Sequence, residues 1–216
     1  MDSFNDFWGQ TDVVGRAVAL LMLLMSVLSW ALIFWKAWVL RRVAHDVPRA
    51  LQAFWAAPDW ALARERLASL DREGVVLPLL DAAQAHELAG SLAQGTPAAA
   101  QCTRRLRQAL QASLAHLRMG QVWLASVGST APFIGLFGTV WGIYHALVEM
   151  SLSGAVSVDK ISGPVGEALI MTAVGLAVAI PAVLGYNLLG KWVAAAEEQL
   201  EGYAHDLLAA LAEPRT

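Results

Sequence analysis

Charge is scarce in this chain. Of its 216 residues 15% are Asp, Glu, Lys or Arg and 57% are hydrophobic, where a soluble domain is about one quarter charged. The shortage is uneven: charge vanishes from three long stretches and gathers between and after them, as when residues are divided between lipid and water. A basic excess is also missing. The net charge is −3, and no basic patch interleaved with aromatics suggests a nucleic-acid partner. Cys102 is the one cysteine, which excludes an internal disulfide and Cys-based zinc sites of the usual spacing. No HExxH, GxSxG, P-loop or dinucleotide fingerprint occurs, so no enzyme is expected and no cofactor or metal is implied. His45, His86, His116 and His205 stand alone among polar residues and read as solvated. The opening MDSFNDFWGQTD lacks the positive region of a signal peptide, so the first apolar segment is expected to be retained.

The apolar stretches predict an all-α membrane protein with three transmembrane helices. The first lies between Arg16 and Lys36; its uncharged interior spans roughly 28 Å as a helix, about the thickness of a bilayer core. Trp30, Trp35 and Trp38 cluster at one end, where interfacial aromatics belong. The second uncharged stretch runs from Met119 to Val148. The third runs from Ala168 to Gly190, with Glu167 just before it. The first is rich in Leu and Met and suits lipid; the others are rich in Gly and Ala and suit helix–helix contact. The expected segments are an N-terminus 1–12, spans 13–39, 121–150 and 164–190, a loop 40–120, a short loop 151–163 and a tail 191–216.

Arginine sets the orientation. The long loop carries Arg41, Arg42, Arg49, Arg64, Arg66, Arg72, Arg104, Arg105, Arg107 and Arg118, whereas Asp2, Asp6 and Asp12 precede Arg16. By the positive-inside rule the loop and tail are cytoplasmic and the N-terminus lies outside. Both cytoplasmic parts read as helical. Asp59 caps WALARERLASL, which Gly74 and Pro78 would end. A break at Gly95–Pro97 precedes a helix whose Leu106, Leu110, Leu114 and Leu117 form one stripe. No breaker separates that stripe from the second span, so one continuous helix is expected. In the tail Ala196, Leu200, Tyr203 and Leu207 lie opposite Glu197, Glu198, Glu201 and Asp206. A helix bundle explains these stripes; a dedicated partner groove is the sharper alternative.

The second span carries a stripe of Gly128, Pro132, Gly135, Thr139, Gly142 and Ala146, with Gly138 and Gly142 adding a GxxxG step. The third span answers with Ala168, Thr172, Gly175, Ala179 and Ala182. Such faces admit another helix to backbone contact, and they are expected to hold a homo-oligomer. Thr139 and Thr172 are the only hydroxyls on these stripes. Each could simply bond back to its own helix, or face an ion path. Glu167 could reach headgroup water, or mark a path end or partner contact. It sits about 140° round the helix from Thr172.

At these residues the chain resembles a family. GSTAPFIGLFGTVWGIYHAL (Gly128–Leu147) and GPVGEALIMTAVGLAVAIPAVLGYN (Gly163–Asn187) are similar to the ExbB/TolQ/MotA proton-channel family, on its ExbB and TolQ side. MotA-like chains, longer and with four spans, fit poorly. Val165-Gly166 stands where Ile-Ala is commoner, and Met171 replaces Ala; the polar positions are kept. The resemblance implies a pentamer in the bacterial inner membrane, with spans two and three around a central pore. It implies that Thr139 and Thr172 face that pore, and that the family glutamate falls on Glu167. It further implies an ExbD-like single-span partner supplying an aspartate, and a TonB-like protein receiving the motion. Protons would be the species moved. A TolQ-like stator and a non-conducting scaffold are the alternatives.

Overall fold

The computed structural model describes residues 12–85, 97–153 and 158–212. Most of the expected N-terminus, part of the short loop, His86 and the Gly95–Thr96 start of the expected break lie outside the described residues. Every regular element described is helical: α1 (Val13–Trp55), α2 (Trp60–Leu70), α3 (Leu77–Gln84), α4 (Ala98–Arg118), α5 (Gln121–Ser153) and α6 (Val158–Ala212). Of these, α1, α5 and α6 are long and apolar enough to cross a membrane.

The chain forms two compact units. Unit one comprises Met1–Phe34 and Gly120–Asn187; unit two comprises Trp35–Met119 and Leu188–Thr216. In unit one the start of α1, α5 and the first half of α6 pack together. Gly135 of α5 meets Gly175 of α6, Gly142 meets Ala168, and Gly128 meets Val183, so the two helices run antiparallel. Large apolar side chains point outward: Leu24 is 55% exposed, Phe133 71% and Leu184 63%. Small residues at the α5–α6 contact with so many bulky apolar side chains outside suit a lipid surround.

Unit two has a different core. The buried residues Lys36, Leu40, Val43, Val47, Ala50 and Phe54 of α1 recur at alternating steps of four and three, as do Leu189, Val193, Ala196, Leu200, Tyr203 and Leu207 of α6. That is the period of a left-handed coiled pair. The helices run parallel, with Arg41 over the Trp192 ring and Phe54 edge-on to Tyr203. The tail stripe read from sequence is therefore core. Against this pair α4 runs antiparallel, burying Leu106, Leu114 and Leu117 while Leu110 is half-buried. Arg118 donates to Glu197 at 2.6 Å. Asp59 caps α2 by accepting from the Leu62 N–H at 2.8 Å. Pro78, expected to end α2, instead sits in the first turn of α3, where its missing N–H costs nothing; α2 stops at Leu70. Lys36, Arg41 and Arg42 each lie against a tryptophan ring, as cations do beside interfacial aromatics.

The expected continuous helix through residue 119 does not form. Helix α4 ends at Arg118, and Gly120 adopts φ +89° before α5 begins. Glycine takes that left-handed conformation freely. A Cβ at Gly120 would lie 2.7 Å from Leu32 Cδ1, so side-chain room is lacking too. The freed carbonyls of the α4 terminus have a partner: Lys36 Nζ donates to His116 O at 2.9 Å and Leu117 O at 3.3 Å. A cation at a helix C-terminus satisfies both its orphan acceptors and its dipole.

Candidate functional site

The α5–α6 contact is built for close approach. A Cβ at Gly135 would fall 2.7 Å from Met171 O, and one at Gly175 would fall 2.7 Å from Ala131 O. Only glycine permits backbones this near. The small stripes thus pack on each other within one chain. The face that spacing offered to a neighbouring copy meets the chain's own helix at Gly128, Gly135 and Gly142. Gly138 faces Met171 and Val18, and Pro132 lies half-buried within α5.

In the middle of this contact the structure brings Thr139 and Thr172 together. Thr139 is buried, at 6% exposure. Its Oγ1 lies 3.1 Å from Gly135 O, 3.0 Å from Ala168 O, and in hydrogen-bonding contact with Thr172 Oγ1. The back-bond to the helix is present, yet it does not exhaust the hydroxyl. Both carbonyls can only accept, and Thr139 has one proton to give. All partners are satisfied when Thr139 donates to a carbonyl and accepts from Thr172. Thr172, which is half-buried, then keeps its own lone pairs free for a water or an acid.

One turn further on, the contact opens into a cavity of about 280 Å³ lined by Asp12, Trp141, His145, Glu149, Glu167 and small residues of α5 and α6. Glu167 adjoins in sequence Ala168, whose carbonyl accepts from Thr139, although helix geometry sets it on a different side of α6 from Thr172. Asp12 precedes α1 and is fixed from three directions. Its Oδ1 accepts the Gly15 N–H at 2.8 Å, its Oδ2 accepts Trp141 Nε1–H at 2.6 Å, and His145 Nε2 stands 3.8 Å away. Burial pushes the Asp12 carboxyl up, but the Trp141 and Gly15 hydrogen bonds and the neighbouring imidazole outweigh it, leaving it below the ordinary carboxylate range. Asp12, Trp141 and His145 went unremarked as site residues in the sequence. The available signal was an i, i+4 Trp–His pair at the end of an otherwise uncharged span; its link to Asp12, 129 positions away, has no local trace. Among the described residues no cluster of three or more His, Cys, Asp or Glu is arranged to hold a metal ion.

With this geometry in view, the chain belongs to the MotA/TolQ/ExbB proton channel family, whose profile matches residues 79–202. Its relatives include biopolymer transport protein ExbB of Xanthomonas campestris pv. campestris, 38% identical over 205 residues that cover 90% of this chain and 80% of the relative. A second is biopolymer transport protein ExbB of Neisseria meningitidis, 38% identical over 208 residues and 91% of each chain. The Tol-Pal system protein TolQ of Haemophilus influenzae is 30% identical over 201 residues, 91% of this chain and 88% of the relative.

Proposed function

We propose that the chain is an ExbB-like stator subunit of the bacterial inner membrane. With an ExbD-like partner it passes protons down the proton motive force and energises TonB-dependent transport across the outer membrane. The observation that carries this reading is the joined hydroxyl pair, Thr139 and Thr172, in a helix wall just beneath an acid-lined cavity. Hydroxyls alone do not relay a charge; they orient water and the proton of an acid brought by a partner. Thr172, with its acceptor side free, suits a protonated carboxyl. Protonation of a partner aspartate removes its charge and changes its attraction to the wall, which is a means of driving relative motion. The same reading has the chain assemble as a pentamer, with its N-terminus periplasmic, its loop and tail cytoplasmic, and no bound cofactor. Glu167 tunes the outer end of the path or grips a partner.

Thr139→Val and Thr172→Val keep shape and remove the hydroxyl. Both variants should assemble normally and lose most TonB-dependent uptake, and Glu167→Ala should impair it. If both valine variants assemble and support full uptake, the hydroxyls only bond their own helices and the proton reading fails. The TolQ relative supports a second reading, a Tol-Pal stator. The 38% identity to the Xanthomonas and Neisseria ExbB chains, against 30% to TolQ, favours the first. A TonB-like rather than a Tol gene beside this one is the expected finding.

A further inference from the structure

The cavity at the end of unit one holds a histidine with no settled structural role. His145 Nε2 faces Asp12 Oδ2 at 3.8 Å. Among the described residues its buried Nδ1 has no hydrogen-bond partner. Leaving a buried ring nitrogen unpaired costs stability, and it is uncommon enough to require an explanation. Anchoring the N-terminal segment does not supply one, because Asp12 is already tied to α5 by Trp141 and to α1 by the Gly15 N–H.

The surroundings suggest a different use. Glu149 from α5 and Glu167 from α6 line the same cavity as Asp12 and His145. The Tyr144 ring lies against the imidazole. Arg16, one turn into α1 from Asp12, is engaged in contacts of its own. Gly138, Gly142, Ala146 and Ala168 line the cavity together with Trp141, Pro164 and Met171, and its volume has room for waters. Gly138 and Ala168 bring the cavity next to Thr139, whose hydroxyl contacts Ala168 O. The buried Nδ1 has no route to this space; Nε2, beside the Asp12 carboxylate, is the nitrogen on the cavity side.

We infer that His145 is a proton relay at the mouth of the path, held in register by Asp12 and exchanging protons with the cavity that Glu149 and Glu167 line. This rests on the proton-conducting reading above. The step changes only N–H and O–H bonds. A proton leaves hydronium or a carboxyl in the cavity and adds to one ring nitrogen, giving imidazolium. That nitrogen, Nε2, then releases a proton to a second carboxylate or water on the path side, and the ring is neutral again. Asp12 stabilises the imidazolium and fixes the ring plane; it is a positioning residue.

The test uses liposomes holding the chain and its single-span partner, with a trapped pH dye and an acid jump outside. Wild type should acidify the interior at a rate that depends on outer pH. His145→Gln should slow this roughly tenfold or more, a modest share of what a positioned proton-transfer group supplies, and flatten the dependence on outer pH. Added imidazole should restore flux to His145→Ala, which a packing role would not allow. His205→Gln, at an exposed position in unit two, should conduct as wild type. If wild type conducts and His145→Gln matches it in rate and pH profile, the relay is overturned and the channel stands. If wild type does not conduct, the channel reading itself fails. Should His145→Gln not assemble, equal flux through His145→Ala with and without imidazole overturns the relay instead.

Discussion

Each unit pairs a stretch of α1 with a parallel stretch of α6 and sets a third helix, α5 in unit one and α4 in unit two, antiparallel to them. They are filled in different ways. Where α5 meets α6, unit one turns Gly, Ala and Thr inward; Met22, Leu124 and Val127 are buried too, while many of its Leu, Phe and Val side chains face outward. Unit two turns Leu, Val and Tyr inward and carries ion pairs outside, such as Arg64–Asp81 and Arg118–Glu197. Where the surround is water, burying large apolar groups drives assembly. Where it is lipid that gain vanishes, and contact comes from close backbones instead. A consequence is chemical. A wall of small residues has room for hydroxyls, water and an unpaired imidazole; a wall of leucines has none. The site therefore lies in the unit with the weaker apolar core.

The comparison can be broken most severely at Gly135. A leucine there must displace Met171 O and the Cα atoms of Thr172 and Gly175, all of them backbone. We expect Gly135→Leu to prevent unit one from forming, seen as loss of folded protein on extraction in mild detergent. Normal yield and unfolding temperature would show that the helices are not in contact there. In unit two the corresponding injury is a cavity. Leu200 is fully buried, and Leu200→Ala should cost about 2–5 kcal/mol, read as a lowered midpoint of thermal unfolding in detergent with the protein still folded at room temperature.

A smaller effect sharpens the contrast through pH. Asp46 accepts two hydrogen bonds from Arg72, at 2.8 and 2.9 Å. These hold its carboxyl below the ordinary value of 3.8, with burial opposing and His45 adding to them. A carboxyl lowered by folding stabilises the fold fully above its unfolded value and loses that contribution as pH falls through its folded value. Wild type should therefore melt above Asp46→Asn at neutral pH, and the gap should close in acid below the ordinary carboxylate range. A gap that persists there would mean the pair acts by packing. The mildest change is Gly74→Ala. Gly74 has φ +64°, and among the described residues nothing lies within 4 Å of the point a Cβ would occupy. Only backbone strain is felt, about 1 kcal/mol, and it should lower the thermal midpoint by less than any other change here.

Much of this was legible in the sequence, and what was not has physical causes. Three spans follow from charge depletion, and the tail core of Ala196, Leu200, Tyr203 and Leu207 from periodicity, because both are properties of one segment. The stripes on α5 and α6 were equally plain, but spacing does not say whose helix a smooth face meets; that required Gly135 and Gly175 in contact. The break at Gly120 was hidden because glycine is common in apolar spans, and its left-handed turn lies against Leu32 of a distant helix. The Asp12–Trp141–His145 cluster depends on the same kind of long-range meeting. Thr139 and Thr172 were singled out by residue type, but not their mutual hydrogen bond.

The parallel pairing of α1 with α6 bears on how the chain is made. Phe54 and Tyr203 touch although 149 positions separate them (203 − 54). At about 5–20 residues per second, Tyr203 leaves the ribosome roughly 7–30 s after Phe54. Through that interval the Leu40–Phe54 face of α1 waits for its last neighbour, covered at most by α2, α3 and α4, which emerge first. The intervening helices thus double as a temporary sheath, and a truncated chain ending before residue 189 would leave a leucine-and-valine seam for proteases and chaperones to find.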